Sequence, residues 1–475
     1  MLGSESLYQS IRQRSFSTGI VLAVALALAA CAGSGGGESK PPVEISGPVF
    51  GSAKPQLDPN LPPGQTETPG FGTSPLTGGV DVSPVLPDGT TKGIRIGMLL
   101  PLTGPKAPLG QALLNAAQLA LFDARQGDVG LVVRDTKGTA AGAQAAAQAA
   151  LDEGASLLVG PFFATSVAAA APVARARQVA VIAFSNDPAV AGNGVYLMGL
   201  PPAAQVDRVI SFATRQGLRR FAVLAPRSRY GNAVVAALYA AVARNGAELT
   251  KVGFFNPGDR DISPAVRELA SYDQRSAALK RQVQVLESRS ETDEESKQRL
   301  QRLGALDTVG EPGFDAVLLP LGGSRLQTIA PLLPFYDVDP KKVRFLGTNL
   351  WDDVKLSSEP SLIGGWFAAP PPGSWAEFRK RYVDTYGKQP PRFSSLAYDA
   401  VALAVLLISQ PEARGNPALY ASREITQASG FSGVDGILRF LPNGLAERGL
   451  AVMEMRRGEL EVIEQAPQSF ERLFN

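Results

Sequence analysis

Short apolar runs alternate with helical patterns over residues 93–475, and this alternation constrains the fold more than any other feature. The runs that predict strands are 94–100, 131–134, 157–159, 180–183, 221–225, 249–255, 316–320 and 343–347. The clearest helical patterns cover 110–124, 139–154, 164–178 and 230–245. Strands that alternate with helices in this way are typical of mostly parallel sheets. We therefore predict an α/β fold of two lobes, each a doubly wound and mostly parallel sheet.

The composition excludes several classes of function. The 475 residues include no histidine and one cysteine, and the formal net charge is +2. Without histidine there is no Ser-His-Asp triad, no imidazole base and no histidine ligand for zinc. A single cysteine provides neither an intrachain disulfide nor a cysteine cluster for a metal. The charge gives no basic surface for nucleic acid, and no Gly-x-x-x-x-Gly-Lys phosphate loop occurs. We expect a protein that is not an enzyme, needs no cofactor and does not bind nucleic acid.

The N-terminus has the features of a secretory signal. Arg12 and Arg14 precede an apolar stretch at 19–30 that is too short to span a membrane. The stretch ends in Leu-Ala-Ala-Cys at 28–31, which resembles the lipobox of bacterial lipoproteins. We predict a signal peptide at 1–30, removed before lipidation of Cys31; the alternative is an ordinary signal that contains a cysteine. Ala32 is not aspartate, which by analogy with lipoprotein sorting favours the outer membrane, with the protein facing the periplasm.

Residues 31–92 are predicted to be a linker. Residues 32–92 contain 12 glycines and 11 prolines and almost no periodic apolar pattern. As a flexible coil these residues would span roughly 43 Å. The linker is either a spacer between the membrane and the folded module at 93–475 or a segment that binds the cell wall.

A charged segment at 274–304 differs from the rest of the folded module. Twelve of its 31 residues are charged, and Leu279, Val283 and Leu286 form a narrow apolar stripe. The pattern predicts a helical hairpin inserted in the second lobe, or a partly disordered one. Its charges either face solvent or form a docking arm for a partner protein.

Several short segments carry a resemblance to a known family. They are Ile-Arg-Ile-Gly-Met-Leu-Leu-Pro-Leu-Thr-Gly at 94–104, Leu-Val-Gly-Pro at 158–161, Arg-Tyr-Gly at 229–231, Ala-Tyr-Asp-Ala at 397–400 and Phe-Ser-Gly-Val-Asp-Gly at 431–436. In this order the set resembles the leucine and branched-chain amino-acid-binding proteins, which have the type I periplasmic binding protein fold.

Two further segments resemble one branch of that family, the penicillin-binding-protein activators. They are Phe-Ser-Asn-Asp at 184–187 and Leu-Gly-Thr-Asn-Leu-Trp-Asp-Asp at 346–353, the latter followed by Gly-Gly-Trp-Phe-Ala at 364–368. Members of the branch are envelope lipoproteins, and the best-known ones stimulate peptidoglycan synthases by contact. The resemblance implies three chain crossings, with lobe one at about 93–206 and 350–430 and lobe two at about 207–349 and 431–475.

The resemblance also implies a ligand cleft between the lobes, but the amino-acid-binding residues have changed. The serine pair of leucine-binding relatives corresponds to Phe162, Phe163 and Ala164, and their acidic partner for the ammonium corresponds to Asn349. Asp187, Asp352 or Asp353 could replace that acid, or could instead cap helices or turns. The candidate cleft residues are Thr103, Phe163, Ser166, Ser185, Asn186, Asp187, Tyr230, Asn349, Trp351 and Asp352.

Two functions remain open from the sequence. The first is activation of a peptidoglycan synthase, a penicillin-binding protein, by direct contact from a membrane-anchored module. The second is a substrate-binding lipoprotein of an ABC importer for branched-chain amino acids or related small solutes. A small amino-acid-like ligand is compatible with both.

Overall fold

The computed structural model of the protein describes residues 43–44, 93–125, 129–289, 293–413 and 416–470. The predicted signal peptide at 1–30, the lipidation site Cys31 and all of the predicted linker except Val43–Glu44 lie outside these described residues. Among the helices that the structure describes, none is both long enough and apolar enough to cross a bilayer.

Sixteen strands are described. They are β1 (Val43–Glu44), β2 (Ile94–Leu100), β3 (Val129–Asp135), β4 (Ala155–Val159), β5 (Val181–Ala183), β6 (Val195–Leu197), β7 (Arg220–Pro226), β8 (Glu248–Phe255), β9 (Ala316–Leu318), β10 (Arg344–Gly347), β11 (Trp366–Ala369), β12 (Phe431–Gly433), β13 (Gly436–Phe440), β14 (Ala446–Arg448), β15 (Ala451–Arg456) and β16 (Glu459–Glu464).

The described α-helices alternate with the parallel strands. They are α1 (Ala107–Ala124), α2 (Ala140–Asp152), α3 (Ala164–Ala176), α4 (Pro202–Arg215), α5 (Arg229–Arg244), α6 (Ser263–Leu269), α7 (Tyr272–Glu287), α8 (Glu294–Leu303), α9 (Gly323–Ile329), α10 (Leu332–Phe335), α11 (Gly373–Tyr386), α12 (Ser394–Ile408) and α13 (Pro417–Glu424). Short 3₁₀ helices at Asn349–Trp351, Val354–Ser358 and Pro360–Leu362 connect β10 to β11.

Lobe one is built on a parallel five-stranded sheet of order β3-β2-β4-β5-β6. Helices α1 and α12 cover one face, and α2 and α3 cover the other. Residues 96–100 of β2 form a continuous apolar run because helices bury both faces of this strand. The alanines of α2 and α3 keep these helices close to the sheet, since their side chains occupy little volume.

Lobe two is built on a seven-stranded sheet of order β16-β15-β11-β10-β9-β7-β8. Strands β7 to β11 are parallel to one another, whereas β15 is antiparallel to both of its neighbours, β11 and β16. Helices α4 and α5 pack on one face, and α6 and α9 pack on the other. The predicted α/β architecture with mostly parallel sheets is therefore confirmed, although the sequence patterns predicted neither β1 and β6 nor β11 to β16.

A smaller sheet of order β1-β12-β13-β14 completes lobe one. Phe431, Leu438, Phe440 and Ala446 of this sheet join the core of lobe one. Strand β1 pairs in parallel with β12, with Val43 opposite Phe431. Val43–Glu44, predicted to be linker, therefore extends this sheet.

The predicted lobe boundaries differ from the membership of the sheets. The chain passes between the lobes before α4, between β11 and α11, and between β14 and β15. Residues 350–369 thus belong with lobe two and not with lobe one, because β11 pairs with β10 and β15. Residues 431–448 belong with lobe one and not with lobe two, because β12 to β14 pack into its core.

The charged segment 274–304 includes all of α8 and all but the first two residues of α7, and the two helices pack against each other in lobe two. The buried Arg275 anchors the start of α7. Its Nη2 donates to the Gly310 carbonyl at 2.8 Å, and its Nη1 donates to the Asp337 carbonyl at 3.2 Å. The Asp293 carboxylate caps α8 by accepting from the amides of Glu295 and Ser296.

Candidate functional site

A cavity of about 330 Å³ lies between the lobes, at the carboxyl ends of the parallel strands. Open α/β sheets bind ligands at this edge, where the chain leaves successive strands in different directions. Lobe one and the first crossing contribute Phe162, Phe184, Ser185, Asn186, Gly199, Leu200, Arg392, Phe393, Leu396 and Asp435. Lobe two and the second crossing contribute Tyr230, Asn349, Leu350, Asp352 and Pro370.

The ends of four strands account for most of the polar positions and one aromatic wall. Phe162 follows β4, and Ser185 and Asn186 follow β5. Asn349 follows β10, and Tyr230 lies in the first turn of α5 directly after β7. The Phe162 ring packs edge-on against Phe163 and Phe393, with ring centroids 5.4 and 5.7 Å apart. The wall beside β4 is therefore aromatic where the resemblance placed a serine pair.

Arg392 bonds two carboxylates that line the cavity, and the bond to one of them joins the lobes. Its Nε donates to Asp352 Oδ2 at 2.8 Å, and its Nη1 donates to Asp435 Oδ1 at 2.7 Å. Asp352 belongs to lobe two, whereas Arg392 and Asp435 belong to lobe one. Burial lowers the pKa of Arg392, but the two carboxylates outweigh burial and raise it. Arg392 therefore stays charged and holds the two lobes together at the cavity.

Asp399 positions Asp435, one of the two carboxylates bound to Arg392, by accepting hydrogen bonds from the backbone around it. It is fully buried on α12, and its carboxylate accepts from the backbone amides of Val434 and Asp435 at 2.8 and 3.2 Å. These bonds fix the β12–β13 turn that carries Asp435. Burial, reinforced by the negative charge of Asp435, raises the pKa of Asp399 to about 7.

A second buried cation lies close to the same carboxylates. Arg448 on β14 is 6% exposed, and its Nη2 donates to the Met198 carbonyl at 2.6 Å. Burial lowers its pKa, and the charges of Asp435 and Asp399 oppose this effect. Its positive charge partly offsets the two carboxylates beside it, which reduces their repulsion.

Two hydrogen bonds order the lobe-two side of the cavity. The Tyr230 hydroxyl and Thr348 Oγ1 lie 3.0 Å apart, and the backbone amide of Asn349 donates to Gln205 Oε1 at 2.8 Å. Burial raises the pKa of Tyr230 to about 12, although the bond with Thr348 opposes the rise. Tyr230 therefore presents a neutral hydroxyl and a ring to the cavity at physiological pH.

The structure brings together five of the ten candidate residues predicted from the sequence. Ser185, Asn186, Tyr230, Asn349 and Asp352 all line the cavity. They come from both lobes, so their proximity depends on the interlobe packing.

The other five candidates are not among the residues that line this cavity. Thr103 donates to Asp135 Oδ2 at 2.6 Å, and the buried Ser166 lies 3.4 Å from the Thr139 carbonyl, to which its hydroxyl donates. Phe163 precedes α3 and packs against Phe162. Asp187 caps the 3₁₀ helix Pro188–Val190 and pairs with Arg229 across the lobes at 3.2 Å.

The expectation that Trp351 lines the cleft is wrong. Trp351 is 0% exposed in the core of lobe two, and its Nε1 donates to the Leu319 carbonyl at 3.1 Å. Its ring occupies the space above Gly347, where a Cβ atom would lie 2.2 Å from ring atom Cδ2. The 3₁₀ turn at Asn349–Trp351 rotates this side chain inward while Asn349 lines the cavity.

Sequence reasoning missed Arg392, Asp435 and the aromatic residues Phe162 and Phe393 as lining residues. A usable signal was present for the two charged residues. Arg392 directly precedes the apolar run of α12, and Asp435 lies between Gly433 and Gly436 within an apolar segment. Charged residues next to segments that must be buried need a partner, and here they are partners of each other. Among the described residues, no cluster of acidic or sulfur-bearing side chains is placed to hold a metal ion.

Comparison with known proteins agrees with this architecture. A family model described as periplasmic binding protein matches residues 93–459. An uncharacterized protein of Rickettsia prowazekii is 22% identical over 180 residues, which are 38% of this chain and 48% of the relative. The match thus spans about half the length of that curated relative.

Solved structures cover the folded module almost completely. An ABC transporter substrate-binding protein from Sphaerobacter thermophilus is 18% identical with a TM-score of 0.60, covering 79% of this chain and 98% of the other. A branched-chain amino acid transporter substrate-binding protein from Streptococcus pneumoniae, in complex with isoleucine, is 18% identical with a TM-score of 0.54 and covers 79% and 100%. A solute-binding protein from R. palustris, in complex with 4-hydroxybenzoate, is 16% identical with a TM-score of 0.56 and covers 79% and 98%. At these identities the likeness shows the fold.

Proposed function

We propose, from the premise that this chain belongs to the periplasmic binding protein family, that it binds a small solute between its lobes as the substrate-binding component of an importer. The single observation that supports this most is the cavity of about 330 Å³ lined by both lobes. A ligand that contacts both lobes favours the closed arrangement, which is how such a protein can report occupancy to a permease. The role is binding and not catalysis.

The lining suggests a ligand with an apolar body and a small polar group. Phe162, Phe184, Phe393 and Leu396 provide apolar and aromatic surface. Ser185, Asn186, Asn349 and Tyr230 provide hydroxyl and amide groups. Pockets of this kind bind through apolar contact and obtain specificity from a few polar groups.

A thermal-shift screen of the mature chain in detergent tests this proposal. A solute that binds the folded state raises the melting temperature by mass action. The panel includes isoleucine, leucine, 4-hydroxybenzoate and aliphatic amines, and mass spectrometry identifies any solute that copurifies. Leu350→Trp should block the response because Leu350 lines the cavity, whereas the exposed Val354→Trp should not. A shift that survives Leu350→Trp unchanged would place the binding elsewhere.

A second candidate is contact activation of a peptidoglycan synthase by an outer-membrane lipoprotein anchored at Cys31. The segments 184–187 and 346–353, which resemble the activator branch, contribute Ser185, Asn186, Asn349 and Asp352 to the cavity. The α7–α8 pair offers a charged surface for a partner.

A pull-down from envelope extracts separates the two candidates. Capture of a penicillin-binding protein by the full chain, lost after replacement of 274–304 by a short Gly-Ser linker, would favour activation. Capture of permease subunits together with a solute response would favour import.

A further inference from the structure

We infer that the cavity selects an uncharged ring compound with a carboxamide-like edge, an N–H group beside a C=O group, over ligands that carry an ionised carboxylate or ammonium. The inference rests on the proposed solute-binding function and names the class of solute. Two observations support it: the charged groups in and beside the lining balance one another, and two carboxamides on opposite lobes have no protein partner.

The charges in and beside the lining cancel. Asp352, Asp435 and Arg392 line the cavity, and the buried Arg448, which is not a lining residue, interacts with Asp435. Two guanidinium groups and two ionised carboxylates have a net charge of zero. Burial raises the pKa of the nearby Asp399 to about 7, so below that pH its carboxyl group is mostly neutral. A ligand ion of either sign would disturb this balance, whereas an uncharged ligand would not.

Neither guanidinium group presents a free site for an anion. Arg392 donates from Nε to Asp352 at 2.8 Å and from Nη1 to Asp435 at 2.7 Å. Its Nη2 has no partner in the described part of the chain, but the protein shields this atom from solvent. The Nε and Nη1 of Arg448 are likewise unpartnered and shielded. A ligand carboxylate could reach these donors only by displacing protein groups.

The carboxylates present no surplus of negative charge either. Asp435 is 1% exposed, and its Oδ1 accepts from Arg392 while its Oδ2 accepts from the Ser395 hydroxyl at 2.9 Å. Asp352 Oδ2 accepts from Arg392, and among the described residues no donor is found for Asp352 Oδ1. An ammonium group at Oδ1 would lie close to the Arg392 guanidinium and be repelled by it. An uncharged N–H group can donate to Oδ1 without this repulsion.

Two carboxamides contribute to the cavity from opposite lobes. Asn186 follows β5 in lobe one, Asn349 follows β10 in lobe two, and both line the cavity. Neither side-chain amide bonds to another described residue, although the backbone amide of Asn349 donates to Gln205. A carboxamide offers an acceptor and two N–H donors, so this pair matches a ligand edge that has both kinds of group. An ion that leaves water needs a partner of opposite charge, which these neutral groups do not supply.

The apolar part of the lining suits a ring. Phe162 and Phe393 line the lobe-one side, and Tyr230 lines the lobe-two side. Aromatic side chains pack well against a planar ring, either face to face with an offset or edge-on. A cavity of ~150 Å³ is enough to hold benzene, and this one, at about 330 Å³, has room for a ring with a carboxamide.

Calorimetry on the mature chain in detergent at pH 6, below the pKa of Asp399, tests the inference with benzamide, benzoate and benzylamine. The three ligands share the ring and are similar in size, but at this pH they are uncharged, negative and positive. We expect benzamide to bind about tenfold or more tighter than either ion, because an ion without a free partner loses its hydration uncompensated. Leucine, which is charged at both ends, should also bind more weakly than benzamide.

A matched pair of variants tests the charge balance. Asp352→Asn removes one negative charge from the lining, so the affinity for benzoate relative to benzamide should rise about tenfold. Asp353→Asn should leave this ratio unchanged, because Asp353 is not a lining residue and caps the amide of Lys355. The unfolding midpoint of each variant without ligand shows whether it is folded.

A second pair tests the carboxamide. Asn349→Leu keeps the size of the side chain but removes its hydrogen bonds, so benzamide should bind about threefold or more weaker. Asn232→Leu, at an exposed position in α5 outside the lining, should bind benzamide like the natural protein. Full benzamide binding by folded Asn349→Leu would contradict recognition of the ligand edge by this carboxamide.

Each remaining result is decisive. Binding of benzoate or benzylamine equal to or tighter than that of benzamide would overturn the inference while leaving solute binding intact, as would an unchanged benzoate-to-benzamide ratio in folded Asp352→Asn. If another solute of the thermal-shift panel binds in place of these three, an ionised solute overturns the inference, and an uncharged one, for which uracil and benzyl alcohol are added, supports it. Failure of every solute would overturn both the inference and the proposed function.

Discussion

Gly347 shows how a single residue decides what a neighbouring side chain does. It ends β10, and its missing side chain leaves room for the Trp351 ring, which also fills space beside Gly365. The ring lies in the core of lobe two and not in the cleft, whereas the nearby polar residues Asn349 and Asp352 line the cavity.

We predict that Gly347→Ala destabilises the protein by about 1–3 kcal/mol, the usual effect of overpacking a core. The added methyl would lie 2.2 Å from Trp351 Cδ2, so the indole must move. Urea unfolding measures the change. Gly373→Ala is the control, since a Cβ atom there meets nothing within 4 Å. Equal stability of both variants would show that Trp351 does not depend on this space.

Asp399 gives the folded state an acid that titrates near neutrality. At pH values between the ordinary aspartate pKa and about 7, Asp399 is protonated in the folded protein. In the unfolded chain the same carboxyl group has already lost its proton. In that window the contribution of Asp399 to stability falls as pH rises.

We therefore predict that the stability of the natural protein relative to Asp399→Asn decreases from pH 5 to pH 8. The slope is at most about 1.4 kcal/mol per pH unit. Urea unfolding of both proteins at several pH values measures it, and taking the difference cancels groups that they share. A difference that is independent of pH would contradict the raised pKa.

At the scale of elements, α7 and α8 are a polar pair held on lobe two by few buried groups. The described part of α7 buries Arg275, Leu279 and Leu286, while most of its other side chains are exposed or half-buried. Arg275 links the start of the helix to the segment before β9 and to Asp337. The polar attachment is thus concentrated at the start of α7, whereas Leu279 and Leu286 add apolar contacts further along the helix.

We predict that Arg275→Ala destabilises this attachment by about 1–3 kcal/mol, because several charge-assisted bonds to the Arg275 guanidinium are lost. Amide hydrogen exchange should speed up in α7 and around Gly310, with little change in β2 to β6. The exposed Arg281→Ala serves as control. Unchanged exchange in α7 would show that the apolar stripe alone holds the pair.

At the scale of the whole molecule, two ion pairs among the described residues cross the cleft. Arg229 and Asp187 are 3.2 Å apart, but the Arg229 side chain is 83% exposed, so this pair contributes little. The Arg392 side chain is 23% exposed and binds Asp352 with its charge shielded from solvent. Of these two ion pairs, the one between Arg392 and Asp352 is therefore expected to contribute more to holding the lobes together.

We predict that Arg392→Gln shifts the ligand-free protein toward an open arrangement, because glutamine removes the positive charge between Asp352 and Asp435. Small-angle scattering should show a larger radius of gyration than for the natural protein. Arg229→Gln should leave the radius unchanged. An increase in both variants or in neither would contradict the assignment to Arg392.

The predicted membrane anchor also concerns the whole molecule. If Cys31 carries the lipid, Cys31→Ala should move the protein from the membrane to the soluble periplasmic fraction, because a signal peptide alone leaves no anchor after cleavage. Fractionation followed by immunoblotting measures this. Membrane association that is unchanged in the variant would contradict lipidation at Cys31.

Local sequence patterns were enough to predict the α/β class and most elements of the parallel sheets. Runs such as 94–100 are apolar because helices bury both faces of the strand, and this local pattern survives in the sequence. The resemblance to the binding-protein family placed Ser185, Asn186 and Asn349 in the cleft, and all three line the cavity.

Contacts between distant parts of the chain set the lobe boundaries, the partners of Arg392 and the inward turn of Trp351. Strand β11 joins lobe two by pairing with β15, which is about 80 residues away, and no local pattern records such a pairing. Arg392 meets Asp352 and Asp435 because chain crossings bring both lobes together, although each residue alone reads as a solvated charge. Local periodicity specifies which faces are buried, whereas the choice of partner depends on contacts between residues distant in the chain.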